Sequence, residues 1–242
     1  MLSKKEIKDI QSLGHKKFRD DSKLFVAEGT KIVNELIILI PHQLKCLYAT
    51  PEWVKSNPVK QIEIKEITEA ELTKISQLST PNQVLAVINM FEVKEPVNPS
   101  FAIYLDTIQD PGNLGTIIRI ADWFNIKYVV CSTGCADYYN PKAVQATMAS
   151  LANVNVYYDK NGDWLSKQKL PVYAATLKGL SIYKTVATEK GILIIGNESK
   201  GISAEIMKYT MQQITIPKLG KAESLNASVA TGIILSHIFK SV

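Results

Sequence analysis

Apolar residues in the first 91 positions switch between strand-like alternation and helix-like spacing. The alternating and continuous apolar runs predict strands at residues 24–27, 46–49, 62–67 and 84–91. Helices with one apolar face are predicted at residues 3–13, 30–39 and 68–78. Ser3 and Thr68 each stand three residues before a glutamate, the spacing of a capping box that opens a helix. This part of the chain therefore predicts a small α/β domain.

The pattern breaks at residues 94–100, where two prolines and no periodicity predict a linker. Beyond it, apolar runs predict strands at 101–105, 128–132, 154–158, 172–175, 192–195 and 213–216. Helices are predicted between and after them, at 113–124, 141–149, 163–168, 203–209 and 224–240. Buried strands that alternate with helices indicate a mainly parallel sheet flanked by helices. We therefore expect two domains, residues 1–93 and 101–242.

The composition of the 242 residues, 46% hydrophobic and 21% charged, is that of an ordinary globular protein. The longest apolar runs, such as 36–41 and 192–195, are too short to cross a bilayer. The first residues, Met1–Glu6, lack the apolar core of a secretory signal. We therefore expect a cytoplasmic protein with no membrane partner.

The cysteine and histidine contents argue against a disulfide framework and against a metal site. Three cysteines are an odd and sparse number, which fits a reducing compartment. Cys131 and Cys135 have no matching Cys or His pair nearby, so we read them as packed thiols. The three histidines are scattered and suggest neither metal spacing nor a hydrolase triad.

The net charge of +5 permits a polyanionic partner without requiring one. Positive charge is concentrated around Phe18, where Lys16, Lys17 and Arg19 lie close together. Arginine occurs at two positions in the chain, Arg19 and Arg119, and its planar donor fork suits phosphate. Codon bias is another explanation for the scarcity of arginine, so the scarcity suggests a function for these two residues without establishing it.

Three segments carry most of the candidate chemistry: residues 110–119, 195–201 and 216–226. Each follows an apolar run and places glycine and small polar residues where a strand ends and a helix begins. In an open α/β sheet, these ends are where ligands bind. The segments match neither a P-loop nor a dinucleotide-binding fingerprint.

Each segment has a functional and a structural interpretation. Asn113 is expected to cap a helix, with Arg119 reaching back over its N-terminus to an anion; a surface arginine is the alternative. Gly196 would let a ligand approach the backbone, and Glu198 would orient an arginine, cap a loop or remain solvated. Ser224 is predicted to be the N-cap of the last helix, a structural role that would be sufficient to account for it.

Taken together, the three segments resemble a known set of motifs. Asn113-x-Gly-x-x-x-Arg119, Gly196-x-Glu-x-x-Gly201 and Pro217-x-x-Gly-x-x-x-Ser-Leu-Asn226 are similar to the three motifs of the SpoU/TrmH family. These enzymes are S-adenosylmethionine-dependent RNA ribose 2′-O-methyltransferases. Residues 1–91 resemble, more weakly, the small substrate-binding domain that often precedes the catalytic domain.

The resemblance implies a fold and a site. It implies a homodimeric α/β catalytic domain with a trefoil knot, an exception to the rule against threading. The implied cofactor contacts are Thr176, Gly196, Ile216 and Leu225. The implied catalytic residues are Asn113, Arg119, Glu198, Ser224 and Asn226. In the N-terminal domain, Lys16, Lys17 and Arg19 are expected to contact RNA phosphates.

The reaction that the resemblance implies is methyl transfer from S-adenosylmethionine to a ribose 2′-hydroxyl of rRNA or tRNA. A guanidinium stays protonated in proteins, so we assign Arg119 to phosphate binding and alkoxide stabilisation. Ser224 or a phosphate oxygen would then relay the proton. Two alternatives stay open: an RNA-binding module in ribosome assembly that no longer methylates, and a knotted enzyme that methylates a base.

Overall fold

The computed structural model describes residues 1–185 and 189–240. The α-helices are α1 Lys4–Ser12, α2 Lys16–Ser22, α3 Thr30–Leu39, α4 Pro51–Ser56, α5 Glu69–Ile75, α6 Pro111–Trp123, α7 Pro141–Thr147, α8 Ala204–Met207 and α9 Ala227–Ile238. The strands are β1 Leu24–Glu28, β2 Leu44–Ala49, β3 Ile64–Glu66, β4 Val84–Asn89, β5 Phe101–Asp106, β6 Tyr128–Ser132, β7 Asn155–Asp159, β8 Val172–Ser181, β9 Gly191–Gly196 and β10 Gln212–Thr215.

The chain forms two compact units, one of residues 1–92 with 137–152 and the other of 93–136 with 153 onward. The sequence pattern, by contrast, predicts one domain over all of 101–242. The difference is α7 and its flanks, which follow β6 along the chain but pack in the first unit. Alternation of helices and strands cannot reveal such an excursion, because it does not say which sheet a helix covers.

The first unit contains a four-stranded sheet in the order β1-β4-β2-β3. Strand β4 is antiparallel to β1 and β2, and β2 is parallel to β3. Both predicted capping boxes are confirmed: Ser3 with Glu6 opens α1, and Thr68 with Glu71 opens α5. A buried apolar cluster that includes Val26, Leu72, Ile75 and Leu85 fills the space between the sheet and these helices.

Two helices of this unit, α2 and α4, were not predicted. The sequence of α2 is polar apart from Phe18, which is half exposed, and its one buried side chain is Arg19. Apolar periodicity does not reveal α2, because the side chain that this helix buries is an arginine. Helix α4 carried a usable signal, because Thr50 caps it and Pro51 occupies its first position.

Arg19 has a structural role within the first unit. Its side chain is 2% exposed; Nη2 contacts Asp137 Oδ2 at 2.6 Å and Nη1 donates to the Leu13 carbonyl at 2.8 Å. Nearby, Phe25, Phe91 and Tyr139 form a ring cluster that also ties the 137–152 segment to this unit. The expectation that Arg19 binds RNA phosphates therefore does not hold, because its guanidinium is buried and already paired.

The second unit contains a six-stranded sheet in the order β10-β8-β9-β5-β6-β7. All five neighbouring pairs are parallel, which confirms the predicted parallel sheet. A buried cluster that includes Tyr104, Val130, Trp164 and Ile194 fills one part of the unit. Helix α9 packs on α6. Because the strands are parallel, the loops after β5, β9 and β10 emerge at the same edge.

The predicted strands of the second unit are present, and their bounds shift by a few residues, most for β8, which extends to Ser181. The helix predicted at 163–168 is a single 3-10 turn, Leu165–Lys167. The predicted linker 94–100 is irregular but held within the second unit. The Pro96 carbonyl accepts from Trp164 Nε1 at 2.9 Å, and the Lys94 carbonyl accepts from Asn155 Nδ2 at 2.9 Å.

Removing the partner of the buried arginine tests this description of the first unit. In Asp137→Ala the Arg19 guanidinium is left unpaired away from water, so we expect the free energy of unfolding to fall by about 3 kcal/mol. Lys16→Ala removes a surface ion pair with Asp20 (3.2 Å) and should change stability by less than about 0.5 kcal/mol. Urea unfolding of both variants measures the difference. Equal losses would show that the buried pair has no special role.

Candidate active site

Side chains from the three motif segments meet at the carboxyl edge of the parallel sheet. Asn113 lies in the first turn of α6, Glu198 in the turn after β9, and Asn226 at the start of α9. Asn113 Nδ2 donates a hydrogen bond to Glu198 Oε1, and Asn226 Nδ2 donates to Asn113 Oδ1 at 2.8 Å. Segments separated by 85 and 113 residues are thus joined directly by two side-chain bonds.

The carboxylate of Glu198 sets the direction of this chain of bonds. An ionised carboxylate accepts and cannot donate, so it fixes Nδ2 of Asn113 as the atom facing it. The oxygen of the same amide is then turned toward Asn226, whose own Nδ2 must face it. Asn226 Oδ1 is left to accept from the backbone N–H groups of Ser228 at 2.9 Å and Val229 at 3.3 Å. We call Glu198, Asn113 and Asn226 the amide relay.

Two capping assignments made from sequence are wrong. Asp110, not Asn113, caps α6, because its Oδ1 accepts from the Asn113 N–H at 2.8 Å. Asn226, not Ser224, caps α9, because its side chain accepts from the first-turn N–H groups. The structural explanation offered for Ser224 is therefore removed. The Asn113 side chain likewise does not cap a helix, and it bonds to Glu198 and Asn226 in the amide relay instead.

Arg119 and Ser224 are exposed and accessible. Arg119 lies two turns into α6, and Ser224 lies two residues before the α9 cap. Across residues 1–185 and 189–240, neither side chain forms a hydrogen bond or an ion pair. A forked cation and a hydroxyl are therefore both available to a ligand.

The turn that carries Glu198 is closed on itself. The Asn197 N–H donates to the Gly201 carbonyl at 3.0 Å, and the Gly201 N–H donates to the Asn197 carbonyl at 2.8 Å. A Cβ on Gly196 would lie 2.5 Å from the Gly201 carbonyl carbon, so the turn itself requires this glycine. From the sequence, Gly196 is expected to let a ligand approach the backbone, whereas its close neighbour in the structure is the backbone of Gly201.

The expected cofactor contacts lie at the same edge of the sheet. Gly196 ends β9, Ile216 follows β10, and Thr176 lies beyond the last residue of β8 that pairs with β9. Leu225 precedes the α9 cap and is 45% exposed. In the part of the chain that is described, residues 217–225 make no backbone–backbone hydrogen bonds. Free amides and carbonyls next to exposed leucines fit a ligand with both polar edges and apolar surface.

Three residues that support the site are not among those predicted from the sequence: Asp106, Thr107 and Asn197. Asn197 donates from Nδ2 to the Thr107 carbonyl at 2.9 Å, and Asp106 Oδ2 accepts from the Ser203 N–H at 2.7 Å. An asparagine in a glycine-bracketed turn is typical of a side chain that bonds its own backbone, so Asn197 carried a signal. Asp106 carried no such signal, because in the sequence it is simply the last position of an apolar strand.

The two cysteines beside this edge are thiols with protein partners. Cys131 is buried, and Cys135 accepts from the Ile108 N–H at 3.3 Å and donates to the Leu105 carbonyl at 3.2 Å. A hydrogen bond from Cys131 lowers the pKa of Cys135. No cluster of three metal-ligating side chains occurs in the described ranges. Within those ranges, too, every helix is too short or too polar to cross a membrane.

In the first unit, Lys16 and Lys17 lie on the exposed surface of α2. Lys16 pairs with Asp20 on the same helix. Both lysines therefore remain candidates for phosphate contact, unlike Arg19, which is buried behind them.

Comparison with known proteins finds a family match for each of the two parts of the chain. The model of the SpoU rRNA Methylase family matches residues 100–236, and that of the MRM3-like substrate binding domain matches residues 4–86. The chain is 30% identical to the 23S rRNA (guanosine(2553)-2′-O)-methyltransferase RlmP of Bacillus subtilis, over 96% of this chain and 95% of that protein.

Solved structures of RNA methyltransferases are similar to the chain over its whole length. A protein of Porphyromonas gingivalis assigned to the TrmH family of RNA methyltransferases is 37% identical, with a TM-score of 0.89 over 100% of both chains. An AdoMet-bound rRNA methyltransferase of Sinorhizobium meliloti is 27% identical, with a TM-score of 0.86 over 100% of this chain and 97% of that one.

Substitutions at the start of α9 test which side chain caps it. Asn226→Ala removes the acceptor for two helix N–H groups and should lower the free energy of unfolding by about 1 kcal/mol. Ser224→Ala removes an exposed hydroxyl and should change stability by less than about 0.5 kcal/mol. Thermal and urea unfolding measure both values. A larger loss in Ser224→Ala than in Asn226→Ala would restore Ser224 as the cap.

Proposed function

The chain belongs to the SpoU rRNA methylase family, and we propose that it methylates the 2′-hydroxyl of a ribose in RNA with S-adenosylmethionine as donor. The observation that carries the proposal is the amide relay. It joins the three motif segments at one edge of the sheet, and two of those segments also carry an exposed arginine and an exposed serine without hydrogen-bond or ion-pair partners among the described residues.

The donor fits the carboxyl edge of the sheet. Thr176, Gly196, Ile216 and Leu225 would hold it, largely through backbone groups, and residues 217–225, which include Leu225, make no backbone–backbone hydrogen bonds in the described part of the chain. Leu225 would add apolar contact. When bound, S-adenosylmethionine supplies an electrophilic methyl group on its sulfonium. The protein contributes alignment of the two reactants and stabilisation of charge.

Arg119 is assigned to the RNA rather than to proton removal. A guanidinium stays protonated, so it cannot take the proton of the 2′-hydroxyl. Its fork can bind a phosphate through two N–H groups and stabilise negative charge that develops on the ribose oxygen. Ser224 Oγ or a phosphate oxygen of the RNA relays the proton to solvent; the serine hydroxyl does so by passing its own proton on as it accepts the one from the ribose. The amide relay keeps the loops that carry these groups in place.

We also propose a trefoil knot and a homodimer. In the sheet order, β8 lies between β9 and β10, so the chain has to cross β8 on its way from β9 to β10. It then returns, because α9 packs on α6. This crossing and return support the knot. Trp123 on α6 is 85% exposed and Val229 on α9 is 50% exposed. Apolar side chains this open support a surface that a second copy covers. A cytoplasmic location stays a prediction.

Ribosomal RNA is the proposed substrate class, because RlmP, similar along nearly the whole chain, is named for 23S rRNA. In the first unit, Lys16 and Lys17 are proposed to bind its phosphates. Such contacts supply affinity and salt dependence without reading sequence.

Methyl transfer itself is tested with purified protein, S-adenosylmethionine labelled in its methyl group, and ribosomal RNA from cells that lack the gene. We expect label in an alkali-resistant dinucleotide, because a 2′-O-methyl blocks cleavage of that linkage. Label released on a base would instead establish a base methyltransferase. No transfer, and no binding of S-adenosylmethionine by calorimetry, would favour the RNA-binding module.

Replacing Arg119 by lysine separates the fork from the charge. Arg119→Lys keeps the cation but loses the planar pair of donors, so we expect kcat to fall at least about tenfold. RNA affinity, measured by filter binding, should change far less, since one phosphate contact among several is altered. Near wild-type turnover with unchanged RNA binding would refute the role of the fork.

Charge reversal on α2 tests the RNA-binding role of the first unit. Lys16→Glu with Lys17→Glu should weaken RNA binding and reduce the salt slope of log Kd by roughly one per lost phosphate contact. Lys74→Glu, at an exposed position on α5, is the matched control. An unaltered affinity and salt slope in the double variant would remove these lysines from the interface.

A further inference from the structure

We propose that Asn197 and Asp106 are positioning residues that hold the Glu198 turn in register with the amide relay. The inference rests on the proposed function, since the relay is taken as part of the methyl-transfer site. It concerns side chains that the sequence motifs did not single out. Among the described residues, neither side chain is hydrogen-bonded to Asn113 or Asn226, so both would act through Glu198.

The first tether runs through the side chain of Asn197. Its Oδ1 lies inside the turn and accepts from the N–H groups of Ser199 at 2.9 Å and Lys200 at 3.0 Å. Its Nδ2 faces out of the turn and donates to the Thr107 carbonyl at 2.9 Å. One amide therefore rigidifies the turn on both sides of Glu198 and attaches it to the loop after β5.

The second tether runs through the carboxylate of Asp106. This side chain lies at the end of β5, opposite Gly196 in the ladder, and is 4% exposed. Its Oδ2 accepts from the Ser203 N–H at 2.7 Å, and its Oδ1 accepts from Thr107 Oγ1 at 3.0 Å. The Glu198 turn is thus attached to β5 on both sides. Gly196, before the turn, pairs with Asp106 in the ladder, and Ser203, after the turn, donates to the Asp106 side chain.

Thr107 lies between the two tethers in an unusual conformation. Its φ is +61°, which is uncommon for a β-branched residue. All three of its polar groups are bonded: the N–H to Ser132 Oγ at 2.9 Å, the hydroxyl to Asp106, and the carbonyl to Asn197. A strained residue persists only where its surroundings hold it. Here the surroundings are the groups that attach the Glu198 turn.

The consequence for the site follows from the direction of the relay. Glu198 is half buried, and its carboxylate fixes the Asn113 amide only while the turn holds it within hydrogen-bond distance. Without the tethers, the closed turn could shift as a unit. A displacement of about 1 Å at such a site can lower a rate up to about a hundredfold.

Kinetics of three variants and a control test the proposal. Asn197→Ala removes both sides of the first tether, and Asn197→Asp keeps the acceptor inside the turn but loses the donor to Thr107. Asp106→Asn keeps one acceptor of the second tether. The control, Asn153→Ala, removes an exposed asparagine of the same unit that makes one side-chain bond, to Asp122. With labelled S-adenosylmethionine and ribosomal RNA from cells lacking the gene, we expect kcat to fall at least about tenfold in all three and to stay within about twofold in the control.

A double-mutant cycle separates positioning from general stabilisation. If Asn197 acts through Glu198, the pair Asn197→Ala with Glu198→Gln should be no slower than Glu198→Gln alone. Multiplying losses would overturn the proposal, as would a loss below about twofold in Asn197→Ala or Asn197→Asp. Asn197→Asp keeps the bonds inside the turn and therefore tests the tether to Thr107 even where Asn197→Ala fails to fold.

Hydrogen exchange provides a readout that does not depend on activity. The Gly201 N–H bonds to the Asn197 carbonyl, which remains after substitution of the side chain. If the tethers hold the turn, residue-resolved exchange of this amide should accelerate at least about tenfold in Asn197→Ala and Asp106→Asn. Unchanged exchange would overturn the proposal. Absence of methyl transfer by the wild-type protein would refute the proposed function instead, and exchange would still decide the tethering.

Discussion

The site depends on a carboxylate that can only accept hydrogen bonds. Because Glu198 cannot donate, it dictates which end of the Asn113 amide faces it, and that choice propagates to Asn226 and to the first turn of α9. A glutamine at the same position could donate as well as accept, so the direction of the relay would then be fixed from the other end alone, by the two α9 N–H groups that require Asn226 Oδ1. The carboxylate at one end and the helix N–H groups at the other therefore order three segments that lie far apart in the sequence.

The parallel sheet and the edge at which the site lies could be predicted from the chain. Apolar runs followed by glycine and small polar residues mark strand ends, and parallel strands place those ends together. The capping boxes at Ser3 and Thr68 were equally legible, because they depend on residues three positions apart. Local patterns sufficed for these features, although the equally local start of α4 at Thr50 and Pro51 was passed over.

Other failures have two causes, distant contacts and helix boundaries that the sequence leaves open. Arg19 and Arg119 look alike in sequence, yet Asp137 neutralises one in a buried pair and the other remains exposed. The cap of α9 was misassigned between Ser224 and Asn226, since two polar residues near a helix start are equivalent until the helix boundary is known. Asp106 gave no signal, because its partner Ser203 lies 97 residues away.

The direction of the amide relay is the central claim, and neutron diffraction from deuterium-exchanged crystals tests it most directly. The account predicts deuterons on Asn113 Nδ2 pointing at Glu198 Oε1 and deuterons on Asn226 Nδ2 pointing at Asn113 Oδ1. Either amide turned over, or Glu198 protonated and donating, would contradict it.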